Sequence, residues 1–332
     1  MKKILTLLAV LIVLAAAAYY LRPADDGSSS IDTRDRAFAY EDEDNIGKIV
    51  LKKVDWDEQV FERRGEDWYV NGYLVAPYKI TTLLNGITRA RIEHLPPKNT
   101  IPTVYDFIEK QGVSVKVYDK RGKEVRSYTV AQNSHNGRCT YFLMDGATQP
   151  YCINLKGAGK MRPRFVQQID IWRDVALYRV PPEDIETLTV EYPKDYTSSF
   201  EIRKKGSSYD VIDIGSKTTG KEISQQAVKN YLSGFEELYG EGFANNYGKK
   251  DSVAKLVPFM RVSMTKKGGE VQTIQLYPRE EVEFDTEETN DLQDSEQIEK
   301  FLVITSSGDL MLAQQELLMP ILRPYDYFLA TD

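Results

Sequence analysis

The sequence predicts an α+β protein: two tandem copies of a mostly antiparallel sheet with one main helix packed on each. Three observations carry this expectation. Short runs of β-branched and aromatic residues, separated by turn residues, recur along the chain as hairpins require. Two apolar stretches instead repeat at helical spacing, and strands and helices do not alternate in the βαβ manner of a parallel sheet. The order of elements over residues 45–180 is repeated over residues 181–328, and a repeated order points to a duplicated unit.

The first copy opens with Gly47-Lys48-Ile49-Val50-Leu51, a β-type run. Val60-Phe61-Glu62-Arg63, a Gly-Glu-Asp turn and Trp68-Tyr69-Val70 follow as a hairpin. Pro77 suits a first helical position, and Ile80, Leu83, Leu84 and Ile87 lie on one helical face behind it. Gly122-Lys123-Glu124-Val125 marks a later hairpin, and Arg162-Pro163 closes the copy.

The second copy begins at Ile185-Glu186-Thr187-Leu188-Thr189-Val190. Phe200-Glu201-Ile202-Arg203, a Lys-Gly-Ser turn and Tyr209-Asp210-Val211 match the first hairpin. Ser224 caps a helix that carries Val228, Tyr231, Leu232, Phe235 and Leu238 on one face. Gly268-Gly269-Glu270-Val271 answers the later hairpin, a shorter helix is expected over residues 314–322, and Arg323-Pro324 ends the copy.

The Trp68-Tyr69-Val70-Asn71-Gly72 strand end, the helix from Pro77, and Trp172-Arg173-Asp174 followed by Pro182-Glu183-Asp184-Ile185 carry a resemblance. With these motifs the chain resembles the uncharacterised bacterial family catalogued as domain of unknown function 4340. The family has no established activity, so the resemblance implies no catalytic residue. Some relatives are associated with ABC-type transport or gliding-motility auxiliary proteins, which implies a cell-envelope setting.

A chain of 332 residues, 42% hydrophobic and 28% charged, is long enough to bury two cores of ordinary size. Its net charge of -7 argues against a general nucleic-acid binder. Residues 1–22 read as a membrane anchor or signal peptide. Lys2 and Lys3 precede an apolar run from Ile4 to Leu21, interrupted only by Thr6, and the lysines are expected to stay inside. The run suits a spanning helix in length. Ile4 to Leu14 also suits a signal-peptide core, with small residues following at Ala15 to Ala18. No cysteine lies there, which excludes a lipoprotein. Residues 23–44 read as a polar, acidic tether, with Ala37-Phe38-Ala39 as a candidate edge strand.

Candidate chemistry is sparse. His94 follows the first helix, where a histidine is favoured by the helix end. His135 stands beside Ser134, but a neighbouring pair in sequence is no triad. Two cysteines and two histidines without paired spacing do not announce a zinc site. Asp285, Glu287, Asp291 and Glu296 imitate a calcium loop, yet Asn290 stands where the turn glycine belongs. Gly157-Ala158-Gly159-Lys160 lacks the spacing of a phosphate loop. Arg162, Arg164, Arg173 and Arg179 cluster near the junction and are expected to pair with Asp174, Glu183 and Asp184. Trp56 is the aromatic residue least explained by core packing. No catalytic, cofactor-binding or metal residue is therefore assigned, and no cofactor is expected.

The one assigned pair is a candidate disulfide, Cys139 with Cys152, the only cysteines of the chain. A two-residue turn at Asp145-Gly146 would set them opposite one another. A longer loop reaching Pro150 would instead place Cys139 opposite a residue near Leu155. Both registers are open on sequence alone.

The expected protein is a non-enzymatic accessory or binding protein of the cell envelope. A single N-terminal anchor would hold it to the cytoplasmic membrane with its body in the periplasm. The membrane and an envelope protein are its expected partners, and nucleic acid is not. The alternatives are a cell-wall or glycan-binding module and an enzyme whose site is assembled from scattered residues.

Overall fold

The computed structural model describes residues 33–155, 160–215, 222–279 and 300–330. The N-terminal apolar run, residues 157–159 of the glycine-containing stretch and the acidic residues 280–299 lie outside them. By contacts the chain forms two units: Met1–Gly72 with Pro77–Gln167, and Tyr73–Ala76 with Gln168–Asp332. Among the described residues no helix is long and apolar enough to cross a membrane.

In the first part of the chain the strands are β1 (Ile46–Lys53), β2 (Gln59–Arg64), β3 (Asp67–Val70), β4 (Tyr73–Leu74), β5 (Arg91–His94), β6 (Val113–Asp119), β7 (Glu124–Asn133), β8 (Thr140–Met144) and β9 (Tyr151–Asn154). They form a nine-stranded sheet in the order β4-β3-β2-β1-β6-β7-β8-β9-β5. Alternation drives it: β6 buries Val113, Val115 and Val117 and turns the residues between them outward. Part of the core of this unit is a ring cluster. Phe38, Tyr128, Phe142, Tyr151 and Phe165 meet mostly edge to face, a favoured aromatic geometry. Phe38, within the stretch read as a tether, is thus buried, although residues 37–42 form no strand.

Helix α1 (Pro77–Thr88) buries Ile80, Leu83, Leu84 and Ile87, the face predicted from their spacing. A second helix, α2 (Ile101–Gln111), is almost as long. Its Val104, Phe107 and Ile108 pack on Ala131, Cys139, Tyr141 and Cys152.

The second unit is built likewise from β10 (Ala176–Tyr178), β11 (Ile185–Glu191), β12 (Phe200–Lys205), β13 (Ser208–Asp213), β14 (Leu238–Tyr239), β15 (Gly242–Phe243), β16 (Met260–Lys266), β17 (Val271–Pro278), β18 (Lys300–Thr305) and β19 (Leu310–Gln314). Strands β10 and β14 pair by themselves, and the rest form an eight-stranded sheet, β13-β12-β11-β16-β17-β18-β19-β15. Its order repeats that of the first sheet from β3 onward. Four short helices accompany it: α3 (Ile169–Trp172), α4 (Gln225–Ser233), α5 (Lys250–Val253) and α6 (Gln315–Leu318). Ser224 Oγ accepts a hydrogen bond from Ala227 N at 3.3 Å, capping α4 as the sequence predicts. Val228, Tyr231 and Leu232 are buried from α4, and Phe235 from the turn after it.

The predicted fold class, one main helix on the sheet of each copy, is overturned. The described chain consists of sheets of nine and eight strands with six small helices. The reason is visible in β1 and β11. Each pairs on one side with its own hairpin and on the other with β6 or β16, so separate hairpins merge into one wide sheet. No single helix covers that width. The tail helix is also shorter than expected, four residues in place of nine: β19 keeps Gln314 extended, and Pro320, which has no N–H to donate, follows the helix end at Leu318.

Candidate functional site

Among the described residues, one group of side chains with metal-ligating chemistry lies where β5, β9 and β8 run side by side. In the β5–β9 ladder, His94 stands opposite Cys152. In the β9–β8 ladder, Cys152 stands opposite Tyr141, which leaves Cys139 two residues along from that partner, just ahead of β8. Residues two apart on a strand share a face. His94, Cys152 and Cys139 therefore project to the same side of the sheet, the side covered by α2. Cys139 and Cys152 are disulfide-bonded, with Cα atoms 5.6 Å apart. Both are fully buried. A ring nitrogen of His94 and the two sulfurs all lie within 4.8 Å of one another.

This register is that of the longer loop. Ala147 N donates to Met144 O across a turn with Gly146 at φ 77°, but pairing resumes only at Tyr151. The cysteines are diagonal neighbours rather than opposed, and the diagonal still brings them within bridging reach.

The imidazole has a defined outer partner. His94 Nδ1 lies 2.8 Å from Leu95 O. A carbonyl only accepts, so in the neutral ring this contact favours the tautomer with the proton on Nδ1 and the lone pair on Nε2. His94 belongs to a strand of its own, not to the end of α1, and it is exposed at the sheet edge.

The neighbouring serine does different work. Ser134 Oγ donates to Asn136 Oδ1 at 2.8 Å and accepts from Cys139 N at 3.2 Å. It closes the loop leading into Cys139, while His135 beside it is exposed.

In the second unit the arginines resolve into separate roles. Arg173 is buried and forms a two-pronged ion pair with Asp309, at 3.0 and 2.6 Å, with Asp170 3.1 Å away. Its guanidinium lies 3.9 Å from the ring centroids of both Tyr73 and Phe243, a doubled cation–π contact. Arg179 pairs with Asp174 at 2.7 Å, as expected. The remaining two, in the first unit, bind carbonyls. Arg162 donates to Val130, Ala131 and Gln111, and Arg164 donates to Thr82. The carboxylates bound to Arg173 are thus not the predicted Glu183 and Asp184.

Beside Arg173 is a cavity of about 320 Å³, lined by Asp174, Glu270, Gln272, Thr305, Ser307 and Asp309 among others. Ser307 Oγ donates to Asp309 Oδ2 at 2.9 Å. That carboxylate is already held by Arg173, which favours its ionised form and makes it a poor proton acceptor. In the first unit a cavity of about 500 Å³ is lined by Asp35, Glu124, Arg126, Ser127 and Asp145. Trp68 and Trp172 are buried and Trp56 is half-buried beside Lys53.

Sequence reasoning missed the meeting of His94 with the cysteines and the partnership of Arg173 with Asp309. Metal-ligand patterns are read from close spacing, and these side chains come from two strands, β5 and β9, and from the residue just ahead of β8. The resemblance did single out Arg173, as part of Trp172-Arg173-Asp174.

The family model described as Domain of unknown function (DUF4340) matches residues 71–256. This is more than half of the chain, and the chain belongs to that family. No curated protein and no solved structure matches it.

Proposed function

We propose that the protein is an exported, membrane-anchored, non-enzymatic accessory or binding protein of the bacterial cell envelope, acting beside an ABC-type transport or gliding-motility auxiliary complex. The observation that carries the reading is the buried Cys139–Cys152 bond, which uses every cysteine of the chain. Such bonds persist in oxidising compartments and are rare in the cytosol. The apolar run behind Lys2 and Lys3 supports the same setting and supplies the anchor. A binding role fits the way the polar groups are engaged: Ser134 closes a loop, and Asp309 and Asp174 neutralise arginines. The glycan-binding alternative has less support, because two of the three tryptophans are buried and offer no stacking surface.

The test combines topology and partnership. Protease added to cells with a permeabilised outer layer should digest the body, and the thiols should resist labelling until a reductant is added. Crosslinking in intact cells followed by mass spectrometry should recover envelope components. A chain that stays protected in the cytoplasm with two freely labelled thiols overturns the proposal.

A further inference from the structure

We propose that, in its dithiol form, the chain binds one zinc ion through Cys139 Sγ, Cys152 Sγ and His94 Nε2, with the fourth position open to solvent. The inference goes beyond the envelope reading and does not depend on it.

Four observations converge. A ring nitrogen of His94 and the two sulfurs already lie within 4.8 Å of one another. Two sulfurs on one tetrahedral zinc, at bonds of about 2.3 Å, stand about 3.8 Å apart, inside that limit. Opening the S–S bond followed by rotation about χ1 therefore suffices, with the Cα atoms near their present 5.6 Å. The imidazole has the outer partner that zinc-bound histidines normally show, a ring N–H donated to a backbone carbonyl, here Leu95 O at 2.8 Å. The electrostatics close as well. Two thiolates and Zn²⁺ sum to zero, so a neutral group occupies the apolar niche of Val104, Ala131, Phe107 and Ile108. His94, exposed on the edge strand, supplies the open side through which the ion and a solvent ligand enter.

The dithiol form arises either in the newly made chain before oxidation or by reaction with a dithiol reductant. In the second case two hydrogens pass to Cys139 and Cys152, and the reductant becomes a disulfide. Zinc binding then displaces the two thiol protons, with no further redox change.

The experiment uses the full chain in detergent, reduced with a phosphine, stripped of metal and titrated with Zn²⁺ against a chromophoric chelator. One equivalent should bind the reduced chain and none the oxidised chain, and zinc should protect both thiols from a maleimide. Co²⁺ in place of zinc should give sulfur-to-metal charge-transfer absorption. H94A, altered at an exposed position, should weaken binding by at least the roughly 10–100-fold typical for loss of an outer-shell partner. C139S should abolish it. Equal uptake by reduced and oxidised chains overturns the site, as does H94A binding like wild type. Zinc uptake with both thiols still alkylated at the free rate places the metal elsewhere and overturns it too.

Discussion

Arg173 and Asp309, 136 residues apart in sequence, form a two-pronged ion pair between the rings of Tyr73 and Phe243. Asn245 donates to the same carboxylate at 2.9 Å and to Asp170 at 3.5 Å. The hydrogen bonds that a buried charge needs are thus supplied. Losing one partner of such a pair strands the other charge and costs about 3–5 kcal/mol. R173A is expected to lose stability in that range in urea unfolding. R173K should recover little, because an ammonium lacks the planar fork and stacks poorly on two rings. A double-mutant cycle with D309A should show strong coupling. Additive losses would mean that the two side chains act independently.

The same pair sets an acid limit. Burial pushes the Asp309 carboxyl up, but hydrogen bonds from Arg173, Asn245 and Ser307 and the Arg173 charge outweigh it, holding the group below its ordinary value. A depressed carboxylate contributes stability that is fully present above its unfolded value of about 3.9 and is lost as pH falls through the folded one. The stability advantage of wild type over D309N should therefore be constant near neutrality and shrink below about pH 4. A gap that persists undiminished to pH 2 would contradict this sign.

Helix α1 and helix α4 bury Leu84 and Leu232, exposed by only 7% and 0%. Truncation of either to alanine removes apolar contacts and leaves a cavity, at a cost of about 2–5 kcal/mol. Chemical denaturation should give the larger loss for L232A, whose site is fully closed. A loss below about 1 kcal/mol for both would show that these faces do not anchor the helices.

What could be read from the sequence was local. Ser224 announces its helix because a cap acts within one turn, and Ile80, Leu83, Leu84 and Ile87 announce theirs by period. Helix α2 escaped notice because only Val104 on it is fully buried and Pro102 interrupts the pattern near its start. The merging of hairpins into wide sheets depends on β1 meeting β6 and β11 meeting β16, pairings that no local pattern specifies. The candidate site is of this second kind. His94 meets Cys152 through a ladder between strands 58 residues apart. Such a pairing depends on the whole sheet and leaves no trace in spacing.

Asn71 marks where the chain passes from β3 to β4. It holds φ at 48°, and Val60 N donates to its Oδ1 at 2.7 Å while its Nδ2 donates to Glu58 O at 2.9 Å. Asparagine tolerates this left-handed backbone better than most residues, and its side chain here ties down the turn. N71A keeps the strain and loses both bonds, for an expected cost of about 1–3 kcal/mol. N71G relieves the strain and should be the milder variant. Thermal unfolding of the two side by side decides the matter, and equal losses would assign the effect to the hydrogen bonds alone.

The Cys139–Cys152 bond spans 13 residues of sequence and closes the loop that carries Gly146 and Pro150. A cross-link of this length removes denatured-state entropy worth about 3 kcal/mol in the chain-entropy model. The contribution differs from that of the core leucines because it acts on the unfolded chain. Reducing the zinc-free protein should lower the urea midpoint with little change in native spectra, since Val104, Ala131 and Tyr141 hold the two side chains in place. Unfolding of the oxidised chain should also expose less new surface, and so give a smaller denaturant slope, because the closed loop keeps its denatured state more compact. The C139A/C152A chain should match the reduced midpoint without the bond being available at all. An oxidised chain no more stable than either would show that the bond adds nothing to the fold. A reduced chain that loses native structure in buffer alone would instead make the bond essential to the sheet end formed by β8, β9 and β5.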